Sequence, residues 1–269
     1  MPSYICITCG TQHAESDAPP AQCATCEDQR QYVGLSGQKW TTIDALAETH
    51  EVALNQEEPG LVSVEVRPAF GITQRALLLL HPQGNVLWDC VPLVDESALE
   101  AIEGLGGISA IAISHPHFYT SFVEWSVAFG GVPVYLHQAD AAHVRRPDSC
   151  VTYWAGDTYP LVDGVTLVRT GGHFEGSALL HWAGGADGRG VLLASDTVKV
   201  GWDRKSVSVM RSYPNLIPVG PSALGQVEVQ LAPLAYDRIY GAWPGHHIVE
   251  GAREVVRASF ERYRAQIAR

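Results

Sequence analysis

The chain has 269 residues, 46% of them hydrophobic and 17% charged, with a formal net charge of −11. That composition is globular and excludes long disordered stretches. No apolar run approaches the roughly 18–20 residues of a membrane-spanning helix, residues 1–30 lack the pattern of a secretory signal, and no Lys/Arg cluster offers nucleic acid a basic face, so a cytoplasmic protein with neither membrane nor nucleic-acid partners is expected.

Residues 1–34 read as one small unit, and residues 35–269 as the main domain. Two pairs, Cys6-x-x-Cys9 and Cys23-x-x-Cys26, stand thirteen residues apart. The segment is too short to build an apolar core, so it needs a staple. Four thiolates in paired spacing match a tetrahedral all-sulfur metal site of the zinc-ribbon kind. Zinc and iron both accept such a site, and structural zinc is the simpler reading. Cys90 and Cys150 stand alone and read as small buried hydrophobes.

From about Lys39 the pattern changes. Leu61–Val66 alternates as a strand. Ala76–Leu80 and Val86–Trp88, joined by His81-Pro82-Gln83-Gly84-Asn85, read as a hairpin. Glu96–Leu105 has helical periodicity and stops at Gly106-Gly107. The apolar strand Ile108–Ser114 runs into His115-Pro116-His117, where the proline ends regular pairing. Phe122–Phe129 reads as a helix, Val132–Leu136 as a strand and Gln138–His143 as a short helix. Strands at Val165–Arg169, Ala178–Trp182, Val191–Ala194 and Ile239–Ala242 follow, with helices at Pro221–Leu234 and Val249–Ala268. This order predicts two sheets with helices outside them. His115, His117, His173 and His246-His247 lie in loops after strands, and Asp196 ends another strand. Such loops can converge on one site.

Two resemblances follow from these residues. Tyr4, Cys6-x-x-Cys9-Gly10, His13, Ala18-Pro19, Cys23-x-x-Cys26 and Tyr32-Val33 resemble the rubredoxin-like module of rubrerythrins, which binds iron and carries electrons; that family usually has proline where Ala24 stands. Residues 55–269 resemble the metallo-β-lactamase fold superfamily, which includes glyoxalase II and persulfide dioxygenases. Ser114–Thr120 sits at the HxHxDH motif, Thr170–Ser177 is similar to the TPGHTPGS loop, Leu193–Thr197 to the F-x-GD-T strand end, Trp243–His246 to the terminal PGH and Val86–Cys90 to the early L-x-D element. The fold implied is α/β, an αββα four-layer sandwich with a four-cysteine knuckle in front.

The resemblance implies metal ligands at His115, His117, His173 and Asp196. The Asp and last His of HxHxDH, which hold a second ion in two-metal relatives, are here Tyr119 and Thr120, so one ion, Zn²⁺ or Fe²⁺, is expected. The general base then has to come from Tyr119, His246 or Glu124, with His247 an alternative to His246. Phe118, Tyr119, Trp125, Trp154, Phe174 and Trp202 are expected to line the pocket. The expected function is mononuclear metal-dependent hydrolysis of a small ester, thioester or lactone by a metal-activated water. An iron oxygenase or redox enzyme fed by the rubredoxin-like module, and a non-catalytic degenerate member, are the alternatives.

Overall fold

The computed structural model describes residues 1–267. The chain divides into two compact units. One comprises Met1–Leu136 and Ala141–Tyr153; the other comprises His137–Asp140 and the chain from Trp154 onward.

The first unit opens with strands β1 (Ser3–Cys6), β2 (Gln12–Glu15) and β3 (Trp40–Thr41), which form a sheet of order β2-β1-β3. Gly10 turns the chain at φ 79°, where a side chain would be strained. Its N–H donates to the Cys6 carbonyl at 2.8 Å. Cys6, Cys9, Cys23 and Cys26 close into a buried cluster packed by Val33, Trp40 and Ile72. The short helix α1 (Ile43–Ala47) starts at Thr42, whose side chain accepts from the Ala45 N–H.

Next come β4 (Glu51–Glu58), β5 (Leu61–Arg67), β6 (Arg75–Leu79), β7 (Val86–Trp88), α2 (Glu96–Gly104), β8 (Ala110–Ala112), α3 (Phe122–Ala128), β9 (Val134–His137) and β10 (Val151–Trp154). Their strands form a seven-stranded sheet of order β10-β9-β8-β7-β6-β5-β4. β4 to β7 is an antiparallel meander, which includes the expected hairpin, while β7, β8 and β9 run parallel. Two parallel neighbours need crossovers, and α2 and α3 supply them. β7 and β8 are buried throughout, as their unbroken apolar runs require. Asp95 caps α2 by accepting from the Ala98 N–H at 2.8 Å.

The second unit holds β11 (Thr158–Val162), β12 (Val165–Arg169), β13 (Ala178–Trp182), the single turn α4 (Gly185–Gly188), β14 (Val191–Ser195), β15 (Lys199–Val200), β16 (Val207–Ser208), β17 (Met210–Ser212), β18 (Ile217–Pro218), α5 (Pro221–Leu231), β19 (Arg238–Gly241), β20 (His247–Ile248) and α6 (Ala252–Ile267). Six strands form a sheet of order β11-β12-β13-β14-β19-β20, with β14 and β19 parallel. β15 pairs with β16 and β17 with β18 in two small hairpins. Leu179, Leu192 and Ile239 from the sheet, Leu224, Val227 and Leu231 from α5, and Val256 and Phe260 from α6 share one core.

The sequence places the inner strands of both large sheets and the helices α2, α3, α5 and α6, with shifts at their ends. The strand expected over 108–114 is confined to β8. The last helix begins at Ala252 rather than Val249, because Gly251 at φ 66° breaks the chain before it. Its expected end at Ala268 lies outside the described residues. β4 was not foreseen: Glu51, Asn55, Gln56, Glu57 and Glu58 mask its period, as suits a strand at the edge of a sheet.

One close approach in the second unit gives a measurable expectation. Gly190 sits at φ 88°, and a Cβ there would stand 2.0 Å from the Ala235 carbonyl oxygen. That oxygen belongs to backbone, so it does not yield cheaply. Gly190→Ala is expected to cost about 3 kcal/mol or more, read as a melting temperature lower by roughly 6–12 °C. An unchanged melting curve would show that the β14 entry relaxes freely.

Candidate metal centres

The knuckle brings four sulfurs together. The Sγ atoms of Cys6 and Cys26 are 3.5 Å apart and those of Cys9 and Cys23 are 3.7 Å apart. All six cysteines are free thiols, so these are not disulfides. Sulfurs at about 2.3 Å from a tetrahedral ion stand roughly 3.8 Å from one another, so the spacing fits an ion at the centre. Gln38 donates an amide N–H to the Cys6 Sγ at 3.1 Å, and the Thr11 hydroxyl lies 3.3 Å from the Cys9 Sγ. The Cys23 thiol is pushed far down by the thiols of Cys26, Cys6 and Cys9 that point at its sulfur. The same hydrogen bonds push the Cys9 and Cys26 thiols up, so the four sulfurs share protons as one group.

The second group starts where β8 ends. The backbone N–H of Ser114 donates to the Asp89 Oδ1 at 2.8 Å, and the Ser114 Oγ lies 2.9 Å from the His115 Nδ1. Pro116–Phe118 then forms one tight helical turn, closed by the Phe118 N–H on the His115 carbonyl at 3.1 Å. The rings of His115 and His117 stand 5.3 Å apart, edge to face. With its Nδ1 engaged, His115 presents Nε2 as its ligand atom.

His173 and Asp196 are set by backbone features of the second unit. Gly171 and Gly172, at φ 66° and 86°, turn the loop before His173. A Cβ at Gly172 would meet Val209 at 3.2 Å, so glycine is needed there for space as well as conformation. The Met210 carbonyl accepts from the His173 Nδ1 at 2.9 Å, which makes Nε2 the ligand atom of this ring too. Ser195, at φ 52°, bends the end of β14 and carries Asp196 out of the ladder. Burial pushes the Asp196 carboxyl up to about 7, with the Lys199 ammonium acting against it. Lys199 itself lies over the rings of Tyr213, at 4.7 Å, and Trp243, at 4.5 Å. The Tyr213 hydroxyl is 2.8 Å from the Asp196 carbonyl oxygen.

His115, His117, His173 and Asp196 are all buried, and one ligand atom of each lies within 4.8 Å of the others. Imidazole and carboxylate donors suit Zn²⁺ or Fe²⁺. Among the described residues this foursome and the four cysteines are the groups of metal-ligand spacing, and His246 is in neither. His246 is buried, with its Nδ1 3.0 Å from the Val200 carbonyl and its ring 4.4 Å from that of Trp202. His247 pairs its ring with Tyr240. Tyr119 is buried beside Phe122, with ring centres 6.4 Å apart.

Two expectations are corrected. Glu124 is no base: its Oε1 pairs with the Arg146 guanidinium and accepts from the Gln12 amide at 2.9 Å. The six aromatic residues do not form one lining. Trp125 is wholly buried, donating its Nε1–H to the Val91 carbonyl at 3.0 Å and stacking on Phe129, whereas Trp202 is 88% exposed. Asp89, Ser114 and Lys199 were not singled out by sequence as parts of a site. The signal for Asp89 was its place in the Val86–Cys90 element; Ser114 was visible only as the neighbour of His115.

Asp89 sits at φ 63°, a conformation that Asp and Asn tolerate better than most residues. Asp89→Ala is expected to cost about 2 kcal/mol of stability by leaving the buried Ser114 N–H without its acceptor and to weaken metal uptake about tenfold. Asp89→Asn keeps an acceptor and the backbone preference, and should recover most of both. Equal losses in the two variants, by melting and metal analysis, would count against this positioning role.

Comparison with known proteins places this geometry. No family model matches the sequence. The metallo-β-lactamase DIM-1 superposes with a TM-score of 0.57 at 11% identity, over 79% of this chain and 98% of that one. MEM-A1, a subclass B3 metallo-β-lactamase from a soil metagenome library, gives 0.52 at 18% identity, over 78% and 93%. The chain therefore has the metallo-β-lactamase fold. The uncharacterized protein YmaE of Bacillus subtilis (strain 168) is 44% identical over 265 residues, 98% of this chain and 96% of that protein. With so much of both sequences shared, knuckle included, the chain belongs to the family of YmaE.

Proposed function

We propose that this protein is a metal-dependent hydrolase that holds one ion on His115, His117, His173 and Asp196 and acts on a small ester, thioester or lactone. The observation that carries the reading is the buried foursome of ligand atoms within 4.8 Å. The relatives DIM-1 and MEM-A1, metallo-β-lactamases by name, support hydrolysis in general. An ion held there would supply Lewis acidity and bring the pKa of a bound water down to about 7. The chain's own residues fix the donors: Asp89 through Ser114, and the Met210 carbonyl through the His173 Nδ1. Tyr119 and His246 are the proposed catalytic groups for orienting water and substrate. The knuckle holds a second ion on Cys6, Cys9, Cys23 and Cys26, with zinc the simpler choice. Among the described residues no helix is long and apolar enough to cross a membrane, in keeping with our reading of a cytoplasmic enzyme with a small-molecule substrate and no nucleic-acid partner.

Metal analysis with a visible spectrum tests this, together with a panel of esters, thioesters and lactones. Colourless protein with zinc and activity on the panel is expected. A second reading, iron redox chemistry fed by the knuckle, is favoured by one contact: a Cβ at Gly10, next to Cys9, would stand 3.6 Å from Thr120, three residues after His117. Red protein bleached by dithionite would replace hydrolysis with that reading.

A further inference from the structure

The knuckle is built into the first unit rather than hung from it. A Cβ at Gly10 would stand 3.6 Å from the Thr120 Cγ2 and from the Pro92 Cγ, so the turn after Cys9 passes close to both. On its other side, a Cβ at Gly71 would meet the Gly10 nitrogen at 3.2 Å, and Ile72 packs on the cysteine cluster. Pro92 is tied in turn: its carbonyl accepts from the Ser121 Oγ at 2.8 Å, and that of Val91 accepts from the Trp125 Nε1–H at 3.0 Å. Gln12 donates to Glu124 on α3 at 2.9 Å and both meet the Arg146 guanidinium. Ala14 donates its N–H to the Arg145 carbonyl at 3.1 Å. The contacts through Pro92, Thr120, Glu124 and Arg146 land on the segment that follows His117 or on what braces it.

We propose that the knuckle is the support of the histidine loop, so that an ion on the four cysteines raises the affinity of the His115/His117 group for its own ion. The position that carries the last histidine of HxHxDH in two-metal relatives is Thr120 here, and its methyl group faces the Gly10 turn. An ion on Cys6, Cys9, Cys23 and Cys26 fixes the Cys9–Gly10 turn. The fixed turn holds Thr120 and Pro92, and these hold the Pro116–Phe118 turn in the conformation that presents both imidazoles. Emptying the knuckle frees the turn, and the histidine group then pays for its own ordering before it binds. The coupling travels through contiguous packed side chains and is reciprocal.

The inference rests on the reading that both groups bind ions, and the test separates the two. In the full chain, Co²⁺ alone is titrated into the histidine group and followed by its ligand-field absorption, while hydrogen exchange is measured over residues 115–121. Wild type, Cys23→Ser and Gln12→Ala are compared. Gln12→Ala keeps all four thiols and cuts the knuckle's side-chain links to Glu124 on α3 and to Arg146, so it serves if Cys23→Ser misfolds. Cys23→Ser should bind Co²⁺ about tenfold more weakly or worse, Gln12→Ala should lose several-fold, and both should exchange faster over 115–121. Wild-type affinity and exchange in Gln12→Ala would overturn the coupling while leaving both sites standing. Wild type that takes up no Co²⁺ on its histidines would refute the site itself and the coupling with it.

Discussion

His173→Ala is expected to remove the ion from the histidine group and to lower hydrolysis by about a thousandfold or more. The ring supplies one of four donors, and its other nitrogen is already committed to the Met210 carbonyl at 2.9 Å, so no other side chain shares its place. Lewis-acid stabilisation by a bound ion is worth several kcal/mol in the transition state, and about 1.4 kcal/mol is tenfold in rate. The loop itself should survive, because Gly171, Gly172 and the Ser177 Oγ bond to the Phe174 N–H at 2.8 Å set it without the imidazole. The variant should thus fold, bind metal only at its cysteines and hydrolyse nothing above background. Full metal content and full activity in the variant would remove His173 from the site.

Cys23→Ser is expected to have the largest effect on stability. The first forty residues bury Ile5 and the four cysteines but little other apolar surface, far less than a segment of this length needs to hold itself. An ion on four thiolates contributes folding energy outright, about 10–16 kcal/mol in isolated zinc-finger peptides at neutral pH. Much of that is expected to vanish with one ligand. The Cys9 and Cys26 sulfurs would also lose the partner that organises their hydrogen bonds. Limited proteolysis should then cut within residues 1–40 of the variant while sparing wild type, and one equivalent of metal should be missing. Equal protease resistance with one metal fewer would mean that packing on Pro92 and Thr120 alone holds the knuckle.

The fold was legible where periodicity and punctuation agreed. The apolar runs at Ala76–Leu80, Val86–Trp88 and Val191–Ala194 became strands, and Gly106-Gly107 marked the end of α2. The ligands were legible because each follows a strand and matches a motif in order. What the sequence hid were interactions made by backbone. The Met210 carbonyl that orients His173 lies 37 residues away in a three-residue strand, and carbonyl acceptors leave no mark on composition. Glu124, the weakest of the three base candidates in the sequence, is a related case. A glutamate on a surface helix reads as solvated, and only the distant Arg146 and Gln12 show that its carboxylate is held by an ion pair and an amide instead. Trp125 and Trp202 look alike in sequence, yet one fills the core and the other stands in solvent.

The charged strand β4 has a consequence for how the protein behaves when crowded. As the end of a seven-stranded ladder, its outer backbone groups are a template on which another chain could extend the sheet. Glu51 stands exposed on that strand, whereas the Glu57 carboxylate is turned in to the wholly buried Arg75 guanidinium at 2.7 Å and Glu58 is buried. A second copy approaching edge to edge would have to strip water from the Glu51 carboxylate. Glu51, one of the residues that obscured β4 as a strand, thus also disfavours extension of the sheet through it.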